Sequence, residues 1–182
     1  MNRKYFLRSL VPFVYVAVNP LDIKNSRPEQ CKTGTDVEGP FYKKGAPLRN
    51  VIETNGDPLI IEGKVLTGED CKKPVAGAII DVWHCNTHGD YDMRGFKGRG
   101  QVTSDKNGRY TFTTILPPPY GSRPRHIHFK IRAEGYPELT TQLYFEGDPY
   151  IKNDFARNAE IGRIAKITEQ EGIKKGLFNI YL

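Results

Sequence analysis

The chain has 182 residues, a net charge of +6, 38% hydrophobic and 11% aromatic residues, which fits one folded domain with a proper core and excludes a disordered chain. Lysines and arginines are scattered, with no compact basic run interleaved with aromatics, so a nucleic-acid partner is not expected. Eighteen glycines and thirteen prolines favour short strands and frequent turns.

Residues 1–9 carry Arg3, Lys4 and Arg8, and residues 10–18 are almost wholly apolar. This is the layout of a secretory signal, too short for a membrane span. It lacks a small-x-small cleavage pattern and reads equally as an N-terminal strand rich in Val and Tyr. The expectation is a cytoplasmic protein, with export as the alternative and no membrane span. Residues 1–35 are read as this arm plus a polar linker, and 36–182 as the single folded unit.

Beyond the linker, Gly39-Pro40-Phe41-Tyr42 sets an aromatic pair on a fixed loop. Leu59–Leu66 reads as a strand, 67–73 as a turn and Val75–Trp83 as a strand with core residues Ile79, Ile80, Val82 and Trp83. A glycine-bearing loop, 86–100, holds Tyr91. After the short strand 101–103, Asp105-Lys106-Asn107-Gly108 has the chemistry of a hairpin turn, and Arg109–Ile115 reads as the returning strand. Pro117-Pro118-Pro119 holds Tyr120 on a stiff turn. Residues 140–145 form another strand. The only helix expected spans about 151–168. Short strands separated by turn signals predict an all-β, antiparallel β-sandwich with an irregular N-terminal arm and little helix.

The segment from Arg123 to Ile131 alternates polar and apolar residues as a strand does, so His126 and His128 project from one face and Ile127 and Phe129 from the other. By the same alternation Arg125 points away from His126. Two imidazoles side by side on a strand form half of a metal site. With tyrosines nearby, a hard ferric ion fits better than calcium or magnesium, which prefer carboxylates. Zinc or ferrous iron would need a carboxylate, for which Asp90 and Asp92 are candidates. His84 is read as a supporting residue of the site, His88 as solvated and Asp148 as a turn residue. Cys31, Cys71 and Cys85 form no CxxC pair, and allow either one disulfide with one free thiol or three reduced thiols.

Taken in order, Glu38-Gly39-Pro40-Phe41-Tyr42, Ala78 to Cys85, Gly89-Asp90-Tyr91, Pro119-Tyr120, Arg123 to Phe129 and Thr141 to Pro149 resemble the intradiol ring-cleavage dioxygenases of the catechol, hydroxyquinol and protocatechuate types. The resemblance implies one mononuclear non-haem Fe(3+) per chain, with Tyr91, Tyr120, His126 and His128 as ligands. It implies Arg123, Tyr120 and Gln142 as catalytic residues, and a catechol-type substrate cleaved by O2 between its two hydroxyl-bearing carbons to a muconate-type diacid. Homo-oligomerisation is left open. The chain is shorter than catechol and hydroxyquinol enzymes with their helical N-terminal region, and only Gly121 and Ser122 separate Tyr120 from Arg123. The spacing of Gly63-Lys64-Val65, Pro74 to Ala78 and Ser104 to Phe112 also resembles non-catalytic transthyretin-like or carboxypeptidase-regulatory-like modules. Those give no reason for the histidine pair, the two tyrosines or Arg123.

Overall fold

The apolar runs read above become strands in a computed structural model that describes residues 31–159 and 161–182. The signal-like segment therefore lies outside the described residues. β1 (Pro58–Thr67) alternates buried and open positions, and its buried set of Leu59, Ile61 and Val65 faces the core. β5 (Arg109–Ile115) pairs with it antiparallel over seven residues. The short β2 (Lys73–Pro74), together with β9 (Ile167–Gln170), β10 (Ile173–Leu177) and β11 (Ile180–Tyr181), completes this first sheet. The second sheet has the order β4 (Arg99–Thr103), β3 (Ile79–Trp83), β6 (His126–Arg132), β7 (Leu139–Phe145), β8 (Ile164–Ala165). Residues such as Phe112, Ile80, Val82, Ile127, Phe129 and Leu143 fill the space between the sheets.

Both sheets are mixed, although the sequence pattern predicts antiparallel pairing alone. β10 and β11 run parallel to β1, and β8 runs parallel to β7. Parallel partners reach β1 by a long return of the chain, which local alternation does not encode. Gly63 permits that return, since a Cβ there would lie 1.8 Å from the carbonyl oxygen of Phe178. The Tyr110 hydroxyl donates to the same oxygen at 2.6 Å.

Two further expectations are corrected. Asp105–Gly108 does form a tight turn, with Asp105 Oδ1 accepting from the amides of Asn107 and Arg109. However, β4 pairs with β3 and β5 pairs with β1, so the turn carries the chain from one sheet to the other and is not a hairpin. The expected helix over 151–168 is absent. Three short 3-10 helices at 151–153, 155–158 and 161–163 lead into β8, and no α-helix occurs among the described residues. Asp154 is extended and caps the second of these helices by accepting from the Ala156 amide at 2.9 Å. Ile164 and Ala165 then pair with β7, a tertiary contact that overrides a weak helical pattern.

Cys31 and Cys71 form a disulfide with Cα atoms 5.1 Å apart, and Cys85 is a buried free thiol. The bond ties the start of the described chain to the turn between β1 and β2. No helix among the described residues is long and apolar enough to cross a membrane.

Candidate metal centre

Both faces of β6 are buried, although its sequence alternates apolar and polar residues. The apolar set enters the core. The polar set lies under the segment 33–42, which is held by Asp36 N–H on the Thr140 carbonyl and by the Thr141 hydroxyl and Gln142 amide on the carbonyls of Gly34 and Val37. Pairing register builds rows on this outer face. Arg99, Trp83, His128 and Gln142 are successive cross-strand partners, and His126 is paired with Tyr144. A buried, polar sheet face of this kind is where chemistry is carried by the side chains themselves.

His126 and His128 project together as the strand period requires, with ring centroids 4.9 Å apart. His126 Nδ1 lies 2.7 Å from the Pro124 carbonyl oxygen, an acceptor only, so Nδ1 carries the proton and Nε2 keeps a lone pair. That lone pair faces the Tyr91 hydroxyl at 3.2 Å. Tyr91 reaches the site from the loop before β4 and stacks on Phe41 at 4.4 Å. Tyr120 stands edge-on to both Tyr91 and Phe41, each at 5.5 Å. Trp83 stacks on His128 at 4.7 Å, within 7° of parallel. Thus all four candidate ligands are brought together, walled by Phe41 and Trp83.

The electrostatics suit a cation. Burial, followed by other causes, holds His126 down at about 4 and His128 well below the usual imidazole range, so both rings are neutral with lone pairs available. Burial pushes the Tyr91 phenol up, so it stays protonated unless a strongly charged cation binds it. Nδ1 of His128 is buried without a hydrogen-bond partner. Two phenols and two neutral imidazoles form a donor set that fits a hard trivalent ion. Among the described residues no group of three His, Cys, Asp or Glu is placed to hold a metal, so the carboxylate that a zinc or ferrous site requires is missing there. Asp92 instead caps its own loop through the amides of Arg94, Gly95 and Lys97.

Arg123 lies beside this cluster. Its Nη2 reaches Gln142 Oε1 at 3.1 Å and the Tyr144 hydroxyl at 3.3 Å, while Nε and Nη2 pair with Asp154 at 3.1 and 3.3 Å. Arg125 pairs with Asp148 at 3.2 Å, a partner outside the tyrosine–histidine cluster. Asp148 also accepts from the Arg125 and Tyr150 amides, so it is more than a turn residue. His84 is a satisfied core histidine, bonded to the Cys85 carbonyl and the Thr114 hydroxyl, with no site residue among its hydrogen-bond partners. A groove of about 1150 Å³ bounded by residues such as Leu48, Lys64, Arg109 and Leu177 contains none of the converging side chains, so side-chain chemistry locates the site better than cavity size.

Sequence reasoning missed Tyr144, Asp154 and Phe155, and it assigned Trp83 to the core. The cross-strand register of Trp83 with His128 is the signal for Trp83. Nothing local marks Asp154 as a partner of Arg123, 31 residues away.

The fold is thus a two-sheet β domain in which two loop tyrosines meet a histidine pair on one buried sheet face. The comparisons with known proteins specify it. A family model described as Dioxygenase (Dioxygenase_C) matches residues 37–181, and the chain belongs to the intradiol dioxygenase family. It is 37% identical over 172 residues to catechol 1,2-dioxygenase 1 of Acinetobacter lwoffii, covering 77% of this chain and 55% of that protein. It is 36% identical over 150 residues to chlorocatechol 1,2-dioxygenase of Pseudomonas sp. strain P51, covering 65% and 57%. The matched region thus spans little more than half the length of these relatives. Among solved structures, the dioxygenase domain of a dioxygenase carbohydrate-binding protein fusion from Streptomyces sp. SirexAA-E superposes with a TM-score of 0.77 at 36% identity, covering 83% of this chain and 97% of that one. Hydroxyquinol 1,2-dioxygenase of Pseudomonas putida DLL-E4 superposes at 0.72 with 28% identity, covering 87% and 69%.

Proposed function

We propose that residues 36–182 are the catalytic unit of an intradiol ring-cleaving dioxygenase that acts on a catechol-type 1,2-diol with O2 and gives a cis,cis-muconate-type diacid. The observation that carries this reading is the convergence of Tyr91, Tyr120, His126 and His128 on one face of the second sheet. These four residues would hold one ferric ion per chain. When bound, that ion supplies a hard Lewis acid that stabilises phenolate near neutral pH and draws electron density from the diol ring.

The chain's own residues supply the rest. Tyr120 sits on the turn closed by its bridge to Arg123. We assign it, as the phenolate it would be with the ion bound, uptake of one hydroxyl proton from the incoming diol at its phenolic oxygen, a proton that ends on a product carboxyl group. Tyr91, stacked on Phe41 and facing His126 Nε2, is assigned to stay in place. We assign Arg123 to the charge that develops on the ring, where a preorganised donor acts without reorganisation, and Gln142 supports the same step by accepting from Arg123 Nη2. Phe41 and Trp83 exclude water from the reacting face. Both oxygen atoms of O2 enter the product as the bond between the two hydroxyl-bearing carbons breaks, so no external reductant is required.

A non-catalytic transthyretin-like module shares the strand pattern but gives no reason for this convergence. Iron loading separates the two. One ferric ion per chain with a visible phenolate-to-iron absorption supports the dioxygenase reading. A protein that stays colourless after loading refutes it.

A further inference from the structure

The guanidinium of Arg123 is held by Asp154, Gln142 and Tyr144 and covered by Phe155, none of them among the four candidate metal ligands. Asp154 takes its Nε at 3.1 Å and its Nη2 at 3.3 Å. Gln142 Oε1 and the Tyr144 hydroxyl take Nη2 as well. Phe155 covers one face, 4.2 Å from the guanidinium carbon. Each of these groups is itself fixed. Gln142 donates to the Val37 carbonyl at 2.7 Å, which turns its Oε1 toward Arg123. Tyr144 donates to Asp36 at 2.9 Å, and Asp36 is paired with Arg163. Asp154 is locked because its Oδ1 also caps the 3-10 helix at 155–158.

An arginine reads a carboxylate best through its forked edges, each of which needs two free N–H groups. Here the Nε/Nη2 edge is occupied by Asp154, and the remaining Nη2 proton, on the other edge, is shared by Gln142 Oε1 and the Tyr144 hydroxyl. We propose that Asp154 is the positioning residue that aims Arg123, and that it leaves Nη1 as the one guanidinium nitrogen for substrate. The inference rests on the dioxygenase reading and deepens it. Arg123 then offers a single-point contact to charge on the diol ring and no fork for a ring carboxylate. The preferred substrates are catechols without an acidic ring substituent.

The test uses iron-loaded wild type, Asp154→Asn, Asp154→Ser and Asp154→Glu, assayed with catechol and protocatechuate and titrated anaerobically with 4-nitrocatechol. Asn and Ser both keep a side-chain acceptor for the helix cap while removing the carboxylate. The expected result is a fall in kcat for catechol of at least tenfold in Asn and Ser, with the visible band of the resting protein retained. Partial recovery is expected in Glu, and the 4-nitrocatechol affinity of Asn and Ser should change by no more than about threefold. Wild type should favour catechol over protocatechuate by at least tenfold in kcat/KM. Values of kcat within twofold of wild type in either Asn or Ser, or a preference for protocatechuate, would overturn the inference while leaving the dioxygenase reading intact. A coloured wild type that turns over neither catechol nor protocatechuate, nor chlorocatechol or hydroxyquinol, overturns the dioxygenase reading and this inference with it.

Discussion

The hydroxyl of Tyr91 lies 3.2 Å from Nε2 of His126, and the donation from His126 Nδ1 to the Pro124 carbonyl keeps that lone pair aimed at it. A loop residue and a strand residue 35 positions apart are thereby set on a common point. Arg123-Pro124 contributes directly, since a residue before proline is biased to extended backbone and the proline carbonyl then orients the ring.

The two tyrosines should behave differently on substitution. Tyr91→Phe removes the hydroxyl facing His126 from a residue held by stacking, and iron retention should fall markedly. Tyr120→Phe should keep iron and part of the colour but lose rate, because its phenolic oxygen is assigned the substrate proton. Metal analysis and stopped-flow kinetics check both, and unchanged turnover in Tyr120→Phe would remove its assigned role.

Replacing Arg123 by Ala should lower kcat by about two to three decades, on the order of 2.7–4 kcal/mol, with the visible spectrum retained. Arg123→Lys should also be impaired, because an ammonium cannot reproduce the planar fork held by Asp154, and donors given to Asp154, Gln142 and Tyr144 would leave none for substrate. Arg125→Ala is the control. Its side chain pairs with Asp148, outside the tyrosine–histidine cluster, and turnover should persist.

Stability should fall with acid in the iron-free protein. His84 is buried, donates from Nδ1 to the Cys85 carbonyl and accepts at Nε2 from Thr114. Burial lowers its pKa; the Cys85 carbonyl and Glu53 act to raise it, and Arg99 to lower it. With the folded value below the unfolded one of about 6.5, the unfolded chain binds more protons as pH drops. The stabilising contribution is thus complete above about pH 6.5 and is lost progressively below it. Urea titrations at pH 5, 6, 7 and 8 should show this, with a shallower fall in His84→Gln. Stability rising from pH 7 to pH 5 would contradict the assignment.

The Cys31–Cys71 bond should be intact in protein made under oxidising conditions and should contribute about 2–4 kcal/mol. Cys71→Ser should lower the melting temperature without removing the iron-dependent absorption, since the bond joins the start of the described chain to the turn after β1. Intact mass before and after reduction in denaturant reads the bond directly.

Much of the site was legible in the sequence because its pieces are local. His126 and His128 share a face through the strand period alone, with ring centroids 4.9 Å apart. Strands β1, β5, β6 and β7 followed from alternation for the same reason. What stayed hidden depends on contacts remote in sequence. Parallel pairing of β10 with β1 brings together residues such as Leu59 and Lys174, and no turn motif announces it. Asp105–Gly108 has hairpin chemistry, yet which strand pairs with which was decided by the two sheets. Asp154 sits in a stretch whose weak helical pattern drew attention away from its partner Arg123.

The central claim is ring cleavage between the two hydroxyl-bearing carbons, and simultaneous measurement of oxygen uptake and product spectrum tests it most directly. Iron-loaded protein mixed with catechol should consume one O2 per catechol, with cis,cis-muconate as the product. Retention of the visible iron band with no oxygen uptake, or a product cleaved outside the diol, would contradict the account.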